Sequence, residues 1–257
     1  MHSQLRIVSL VPSITETLVY LGHISNLVGC THFCTQPQRG LSHIPKIGGT
    51  KNPNIEKIKN LNPTHIIMNK EENRLEDYHA FKNCAEIITT HPKSPSDVPD
   101  MLYRLSLLFP DTQPFQKLSL DIQQELSTFK ESKRNEKSLY FIWKNPWMLA
   151  GPDTYIGSFL EKVHQQLYPT QSNTQYPSYQ LEDLLQWDIE NIFLSSEPWP
   201  FRKREMIHFK KFIDKGTKIF HINGILSSWH GISTLKGLRE IKKWERQEKN
   251  TCIQKWS

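Results

Sequence analysis

Short apolar runs alternate with segments of helical periodicity in the first part of the chain. The apolar runs have the length of buried strands and lie at residues 7–11, 27–30, 64–68 and 86–90. The helical segments between them lie at residues 12–22, 54–61 and 75–83. Because strands that alternate with helices form parallel sheets covered by helices, this part predicts a small α/β lobe.

The first predicted helix carries signals at both ends. Ser13 and Glu16 have the spacing of a capping box, which indicates a helix start. Gly22 suits the C-terminal cap because glycine adopts a positive φ without a steric penalty. We therefore expect the helix to end at Gly22.

The middle of the chain predicts two amphipathic helices. The first covers residues 97–109 and stops at Pro110, and the second covers residues 115–133. At 1.5 Å per residue the second helix would reach about 30 Å, which is enough to join two lobes as a rigid strut. Such a strut predicts only small lobe movement on ligand binding.

A second alternating series follows this helix. Its predicted strands lie at residues 139–143, 191–195 and 218–222, and its helices at 156–167, 181–185, 203–214 and about 235–247. The predicted fold class is α/β, with two Rossmann-like lobes, each a small parallel sheet with helices, joined by one long backbone helix. The expected boundaries are 1–112 for the N-terminal lobe, 113–134 for the backbone helix and 135–257 for the C-terminal lobe.

Charge and hydropathy exclude two kinds of partner. The 32 basic and 26 acidic residues give a net charge of +6, but the basic run at 202–204 meets Glu205 on a predicted helix. This mixture is typical of a solvated helix face, so we expect no nucleic-acid binding. No run approaches the roughly 18 apolar residues of a membrane span, so no direct membrane insertion is expected. We expect a monomer.

The first ten residues enter a strand-like run directly. They show no charged start, apolar core and cleavage site of a secretory signal. The expectation is a cytoplasmic protein, or a periplasmic one if a precursor segment is missing from the sequence. The scattered Cys30, Cys34, Cys84 and Cys252 do not suggest a disulfide framework and suit a reducing compartment.

Aromatic residues stand where strands of the second half should end. They are Trp143, Trp147, Trp199 and Trp229. Small polar residues normally close a strand, and ligands of parallel α/β sheets bind beyond the carboxyl ends of the strands. Flat apolar side chains there predict a rim that binds a large, flat ligand. The alternative is that some of these rings fill the core.

Catalytic motifs are absent from the sequence. It contains no Gly-x-Ser-x-Gly, His-Glu-x-x-His or Gly-x-Gly-x-x-Gly pattern, and residues 48–51 do not have the order of a phosphate loop. Asp153 and Thr154 are better explained as helix caps than as catalytic groups. We therefore expect no enzyme activity.

Blocks spread along nearly the whole chain share one resemblance. They lie at residues 7–13 with Glu16, 28–29, 48–53, 61–67, 69–73, 141–143, 151–154, 176–177, 195–198 and 228–231. In this order they resemble the helical-backbone metal receptor superfamily, the class III substrate-binding proteins of iron-siderophore, haem and cobalamin import. The resemblance is closest to the cobalamin-binding branch.

The resemblance implies a non-catalytic protein that holds a ligand between two lobes. The ligand would be a corrinoid (cobalamin-like) or another metal chelate, with haem or an iron-siderophore next, and no cofactor is required. The protein would resemble the substrate-binding component of an ABC importer, with an ABC permease as partner. The alternative is a cytoplasmic family member that sequesters a metal complex or acts as an interaction module.

Several residues fall at positions that the resemblance gives a role. The expected ligand-binding residues are Pro12, Phe33, Trp143, Trp147, Trp199, Trp229 and His230. Glu71, Glu72 and Glu197 follow equivalent strands in the two lobes. Carboxylates of this kind dock on permease arginines in the superfamily's transporters. Alternatively, they line the cleft mouth and accept hydrogen bonds from ligand amides.

Two further features leave the chemistry open. Cys30, His32 and Cys34 are soft potential metal ligands, but a buried structural role is favoured for Cys30, and no metal site is predicted. His230 could bind cobalt or iron axially, although a hydrogen-bonding role is favoured. Asn223-Gly224-Ile225 stands where the cobalamin branch carries Asp-Gly-Glu, which removes two carboxylates.

Overall fold

The chain folds into two compact units. The structure is a computed structural model that describes residues 4–38, 40–130, 135–184, 186–210 and 216–247. The first unit comprises Met1–Pro92, Asp97–Asp121 and His230–Ile232, and the second comprises Lys93–Ser96, Ile122–Trp229 and Ser233–Ser257. Each unit contains one sheet and its own helices.

The first unit is built on a four-stranded parallel sheet. Its strands are β1 (Ile7–Ser9), β2 (Leu27–Cys30), β3 (His65–Asn69) and β4 (Glu86–Thr90), in the order β2-β1-β3-β4. All neighbouring pairs are parallel. Because parallel strands end at the same edge of a sheet, the loops after these four strands lie together at one face.

Five helices belong wholly or partly to the first unit. They are α1 (Pro12–Tyr20), α2 (Ile55–Asn60), α3 (Leu75–Phe81), α4 (Val98–Ser106) and α5 (Gln113–Leu126). The core between sheet and helices contains Val8, Leu10, Ile47, Ile58, Ile66, Met68 and Phe81. The four apolar runs of the sequence therefore correspond to the four strands of this sheet.

The start of α1 differs from the prediction. Val11 is the N-cap and makes no side-chain cap, while Pro12 takes the first helical position, where its fixed φ suits the helix. The buried Ser13 Oγ finds no hydrogen-bond partner among the described residues. The capping-box prediction is therefore wrong. The helix ends at Tyr20 with Leu21 as its C-cap, and Gly22 follows with a φ of +87°, so the glycine marks the C-terminal end two residues later than the last helical residue.

Helix α5 is shorter than the sequence pattern predicts. It ends at Leu126, residues 127–128 form a turn, and residues 131–134 lie outside the described part of the chain. The predicted extent of 115–133 is therefore too long, and 14 residues span only about 21 Å. The lobe boundaries at 112 and 135, and the rigidity of this connection, stay predictions.

The second unit contains a mixed sheet of six strands. These are β5 (Glu136–Trp143), β6 (Trp147–Leu149), β7 (Gln165–Leu167), β8 (Ser178–Tyr179), β9 (Asn191–Ser195) and β10 (Lys218–Ile222). The order is β10-β9-β5-β6-β8, with β7 paired to β5. The pairs β5–β7, β5–β9 and β9–β10 are parallel, whereas the pairs β5–β6 and β6–β8 are antiparallel. The expectation of a purely parallel sheet was wrong at this edge.

Strand β7 replaces the second half of a predicted helix. Helix α6 (Tyr155–Glu161) begins at the Thr154 cap, whose Oγ1 accepts a hydrogen bond from the Gly157 amide at 3.0 Å. His164 then adopts a φ of 64°, a left-handed conformation that turns the chain. Residues 165–167 consequently pair with β5 and do not continue the predicted helix 156–167.

The remaining helices of the second unit cover its sheet. They are α7 (Leu181–Leu184), α8 (Lys203–Phe209), α9 (Gly224–Ser228) and α10 (Ile232–Gln247). Helix α9 was not predicted, and the expected ends at Leu185 and Asp214 lie outside the described residues. Within the described part of the chain, no helix is both long and apolar enough to cross a membrane.

Candidate functional site

Two tryptophans meet at the carboxyl ends of β5 and β9. Trp143 closes β5 and Trp199 lies in the loop after β9, with ring centroids 5.2 Å apart and an angle of 68° between the ring planes. The Trp199 amide donates to the Ile142 carbonyl at 3.2 Å, which fixes the loop against the strand. Trp143 remains 38% exposed. The pair, here called the tryptophan pair, forms an aromatic surface at the predicted place.

Trp147 is held mainly by the core of the second unit. Its ring makes edge contacts with Phe141 and Phe209, at centroid distances of 5.7 and 5.2 Å, and stacks on Phe201 at 6.3 Å. The Lys144 Nζ lies 5.3 Å from the ring centroid. Trp147 is the first residue of β6, and its packing against these rings is enough to explain a tryptophan at this position. A ligand contact of Trp147 stays a prediction.

Trp229 and His230 are neighbours in sequence but belong to different units. Trp229 is half-buried in the second unit, and its amide donates to the Ile225 carbonyl at the end of α9. His230 is buried in the first unit, where burial and then the nearby His91 lower the pKa of its imidazole to about 4. His230 is therefore neutral at pH 7.

The two apolar candidates of the first unit have different exposures. Pro12 is buried at the start of α1, whereas Phe33 is 59% exposed in the turn after β2. Phe33 is thus accessible to a ligand at the carboxyl ends of the strands. The proposed contact of Pro12 stays a prediction, and its observed role is to start the helix.

The loop after β3 is held by polar side chains that the sequence analysis did not single out. Asn69 Oδ1 accepts hydrogen bonds from the amides of Glu71 and Glu72 at 2.8 and 3.3 Å. The Glu71 carboxylate lies 3.3 Å from His91 Nε2, and Lys51 Nζ donates to the Glu71 carbonyl. Asn69 was recognisable only as the polar residue that ends a buried strand.

Two of the three candidate carboxyl groups are shifted toward the neutral form. Burial is the main cause that raises the pKa of Glu72 to about 8; the nearby Cys34 and Glu71 add to it, while Lys51 opposes it. Burial also raises the pKa of Glu197 in the second unit. A protonated carboxyl group can donate a hydrogen bond but cannot pair with an arginine. This favours ligand hydrogen bonding over permease docking for Glu72.

Stability should fall as the pH rises through the shifted titration of Glu72. Its folded-state pKa lies above the unfolded value of 4.5, so the folded protein retains the proton up to about pH 8, and the stabilisation is lost across this window. Glu72→Gln should reduce the loss in unfolding free energy between pH 5 and 8.5 by about 2 kcal/mol. Urea denaturation at both pH values measures this.

The exposed Glu56 supplies the control for that experiment. Its side chain is 80% exposed and makes one ion pair with Lys59 at 3.6 Å. Glu56→Gln should leave the pH dependence as in the wild type, because exposed ion pairs contribute little to stability. A Glu72→Gln variant that retains the full wild-type pH dependence would contradict the assignment.

Asn223 has a structural role where the cobalamin branch carries a carboxylate. Its Oδ1 accepts hydrogen bonds from the amides of Ile225 and Leu226, at 3.0 and 3.4 Å, and so caps α9. An asparagine caps a helix as well as an aspartate does. The Asn-Gly pair before a short apolar run was the signal from which α9 could have been predicted.

Cys30, His32 and Cys34 are the potential metal ligands around the end of β2. The described residues contain no group of three or more His, Cys, Asp or Glu side chains that could hold a metal ion. Cys30 is buried at the end of β2, as expected, and His32 is exposed. The metal interpretation of Cys30, His32 and Cys34 therefore has no support in this part of the chain.

Two α/β units with aromatic and acidic side chains at their strand ends define a class of protein, the two-lobed substrate-binding receptors. The chain belongs to the periplasmic binding protein family, whose model matches residues 7–217. These are the helical-backbone, class III substrate-binding proteins, as the sequence blocks indicated. The family is non-catalytic, which confirms the expectation that the protein has no enzyme activity.

Solved structures have the same fold at low sequence identity. The periplasmic vitamin B12 binding protein BtuF of Vibrio cholerae is 18% identical, with a TM-score of 0.80 over 96% of this chain and 98% of that chain. The apo periplasmic heme-binding protein RhuT from Roseiflexus sp. RS-1 is 16% identical, with a TM-score of 0.80 over 96% and 100%.

The periplasmic heme-binding protein HutB of Vibrio cholerae is 18% identical, with a TM-score of 0.73 over 94% of this chain and 99% of that chain. No curated protein sequence matches the chain significantly. At these identities the structural likenesses establish the fold, and the ligand has to be argued from the chain's own residues. Proteins of the family are typically periplasmic, and the location of this chain stays a prediction.

Proposed function

We propose that the chain binds a planar metal chelate and delivers it to an ABC importer, with a corrinoid such as cobalamin as the first candidate ligand. The observation that carries the proposal is the tryptophan pair at the ends of β5 and β9. A macrocycle that covers about 100 Å² of these rings would gain roughly 2.5 kcal/mol from apolar burial. Haem and ferric siderophores are the next candidates.

The strand ends of the first unit supply further groups suited to a chelate ligand, one aromatic and one polar. Phe33 offers a second exposed aromatic face, and Glu72 offers a carboxyl group that is largely protonated at neutral pH. Corrinoids differ from haem in carrying peripheral amides, and an amide pairs with a neutral carboxyl group through both a donor and an acceptor. This chemistry is the reason why we place a corrinoid before haem.

His230 supports the same order of candidates. Haem iron is commonly held by an exposed histidine or another axial side chain, and His230 is buried. Its neutral imidazole would need to leave its packing to reach an iron atom. We propose that His230 positions the chain before α10 and makes no bond to the metal.

Delivery to a permease would use one carboxyl group of each unit. Glu71 is half-exposed in the first unit, and its carboxylate lies 3.3 Å from His91 Nε2. Glu197 is half-buried in the second unit and is its corresponding candidate. We propose that Glu71 and Glu197 are the docking residues, one in each unit.

Titration in visible light tests the binding proposal. Cyanocobalamin, hemin and a ferric siderophore are added separately to the purified protein at physiological salt, with an unrelated protein of similar positive charge as the control. We expect one chelate to shift its absorption spectrum and to saturate at one equivalent. If all three chelates behave as they do with the control protein, the proposal is wrong.

A further inference from the structure

Two buried thiols lie around one lysine at the end of β2. Cys30 and Cys34 are 0% and 1% exposed. Lys46 Nζ donates to Cys30 Sγ at 3.3 Å and to the Cys34 carbonyl at 2.9 Å. The lysine thus fixes the ends of the turn that joins the two cysteines.

The two thiols have different surroundings. Cys34 Sγ lies 3.1 Å from Thr15 Oγ1 and 3.2 Å from Thr31 Oγ1, and it interacts directly with the Cys30 thiol. Cys30 has the ammonium group of Lys46 as a second partner. A cation stabilises a thiolate, whereas burial without a cation favours a neutral thiol, and the Thr15 and Thr31 hydroxyl groups oppose this only in part.

The protonation of the thiols follows from this asymmetry. The hydrogen bond from Cys34 is the largest cause that lowers the pKa of Cys30, and Lys46 adds to it, so that the pKa is about 7 despite burial. Burial raises the pKa of Cys34. At neutral pH Cys30 is therefore partly ionised whereas Cys34 stays a thiol, the arrangement of an attacking and a resolving cysteine.

We propose that Cys30 and Cys34 are a redox pair that forms an intramolecular disulfide with a low-molecular-weight disulfide as oxidant. The Cys30 thiolate attacks one sulfur of the oxidant, and a mixed disulfide forms as the first thiolate leaves. Cys34 then loses its proton to the departed thiolate and attacks Cys30 Sγ, releasing the second thiolate. The two cysteines lose two electrons and two protons, and the oxidant becomes two thiols.

The backbone supports ring closure between the two residues. The Cys34 amide donates to the Thr31 carbonyl at 3.2 Å, which turns the chain back toward the end of β2. The Cys30 amide and carbonyl are held by Pro45 and Ile47, so the attacking residue stays fixed. Closure requires movement of the short turn and no change in the sheet.

Burial determines the rate of the first step. Because both sulfur atoms are covered, the oxidant reaches Cys30 only when the turn at 31–34 opens, and the exposed Cys84 should react sooner with the same oxidant. Cys84 has no described cysteine partner, so it should stop at the mixed disulfide. The final product distinguishes the cysteine pair from an isolated thiol: the pair should end as an internal disulfide and the isolated thiol as a mixed disulfide. The rate of oxidation does not distinguish them.

The test follows both thiols by mass in a variant that contains no other cysteine. Cys84→Ser/Cys252→Ser protein is incubated with oxidised glutathione, and the remaining thiols are blocked with N-ethylmaleimide before intact-mass analysis. We expect both thiols to disappear together, without a stable glutathione adduct, and a peptide map to show Cys30 linked to Cys34. Mapping of the oxidised wild type gives the same information if the variant does not fold.

Single substitutions assign the two roles. Adding Cys34→Ser should leave the glutathione adduct on Cys30, whereas Cys30→Ser should slow adduct formation at neutral pH by roughly tenfold, because the remaining thiol is protonated. Lys46→Met should slow oxidation roughly fivefold at pH 7, and Lys46→Arg should restore the rate. Stable adducts on separate cysteines, or thiols that remain unchanged under oxidation, would overturn the proposal.

Discussion

Gly237→Ala is expected to destabilise the protein by about 3 kcal/mol. Gly237 lies in α10, where an added Cβ would stand 2.0 Å from the Leu226 carbonyl oxygen and 3.1 Å from Phe159 Cζ. The nearest atom belongs to the backbone of α9, so the clash is relieved only if the two helices separate. Urea denaturation followed by circular dichroism measures the loss in unfolding free energy.

Gly216→Ala is the matched control for this substitution. An added Cβ at Gly216 would meet no described atom within 4 Å, so the free energy of unfolding should change by less than about 0.5 kcal/mol. A Gly237→Ala protein as stable as Gly216→Ala would show that α9 and α10 do not approach as the structure describes.

Loss of the tryptophan pair is expected to raise the Kd for the bound chelate by roughly 10-fold to 100-fold. Trp143→Ala/Trp199→Ala removes both rings from the strand ends, and the affinity falls because aromatic anchors dominate the binding energy of such surfaces. The measurement is a titration of the wild type and the variant with the chelate selected by the visible spectra.

Tyr103→Ala is the control, because Tyr103 is an exposed aromatic residue on α4, away from the strand ends. Its Kd should stay within about twofold of the wild type. Equal affinities of the wild type and the double tryptophan variant would show that the chelate does not bind at the tryptophan pair. Trp147→Ala is less informative, since its contacts with Phe141 and Phe209 make it a core substitution.

Several strands could be predicted because buried strands appear in the sequence as short apolar runs. Strand β1 is apolar on both faces, since it lies between β2 and β3 and is covered by helices. Strands β3, β9 and β10 also appeared as short apolar runs within one or two residues of their observed bounds. Alternation with helices was sufficient to predict their parallel pairing.

The edge of the second sheet could not be predicted in the same way. Strands β6 and β8 have three and two residues, too few to show a period. Strand β7 continues the apolar spacing of α6, and the break depends on the single left-handed residue His164. Such conformations arise from tertiary packing and leave little local signal.

The placement of the candidate side chains at strand ends could be predicted from the sequence, but their exposure could not. Aromatic residues at strand ends predicted side chains at the carboxyl ends of β5 and β9, where a ligand contact stays a prediction. The exposed Trp143 and the core-packed Trp147 nevertheless look alike in sequence. Their difference depends on Phe201 and Phe209, which come from later segments. The approach of Lys46 to Cys30 was equally hidden, because sixteen residues separate them.

Native mass spectrometry of the purified protein with cyanocobalamin, hemin or a ferric siderophore tests the central claim most directly, because it counts bound molecules. We expect a complex of one chelate per chain for one of the three, first for cyanocobalamin, and a clear loss of that complex in Trp143→Ala/Trp199→Ala. A protein that remains unliganded with all three chelates at concentrations well above the micromolar range would contradict it.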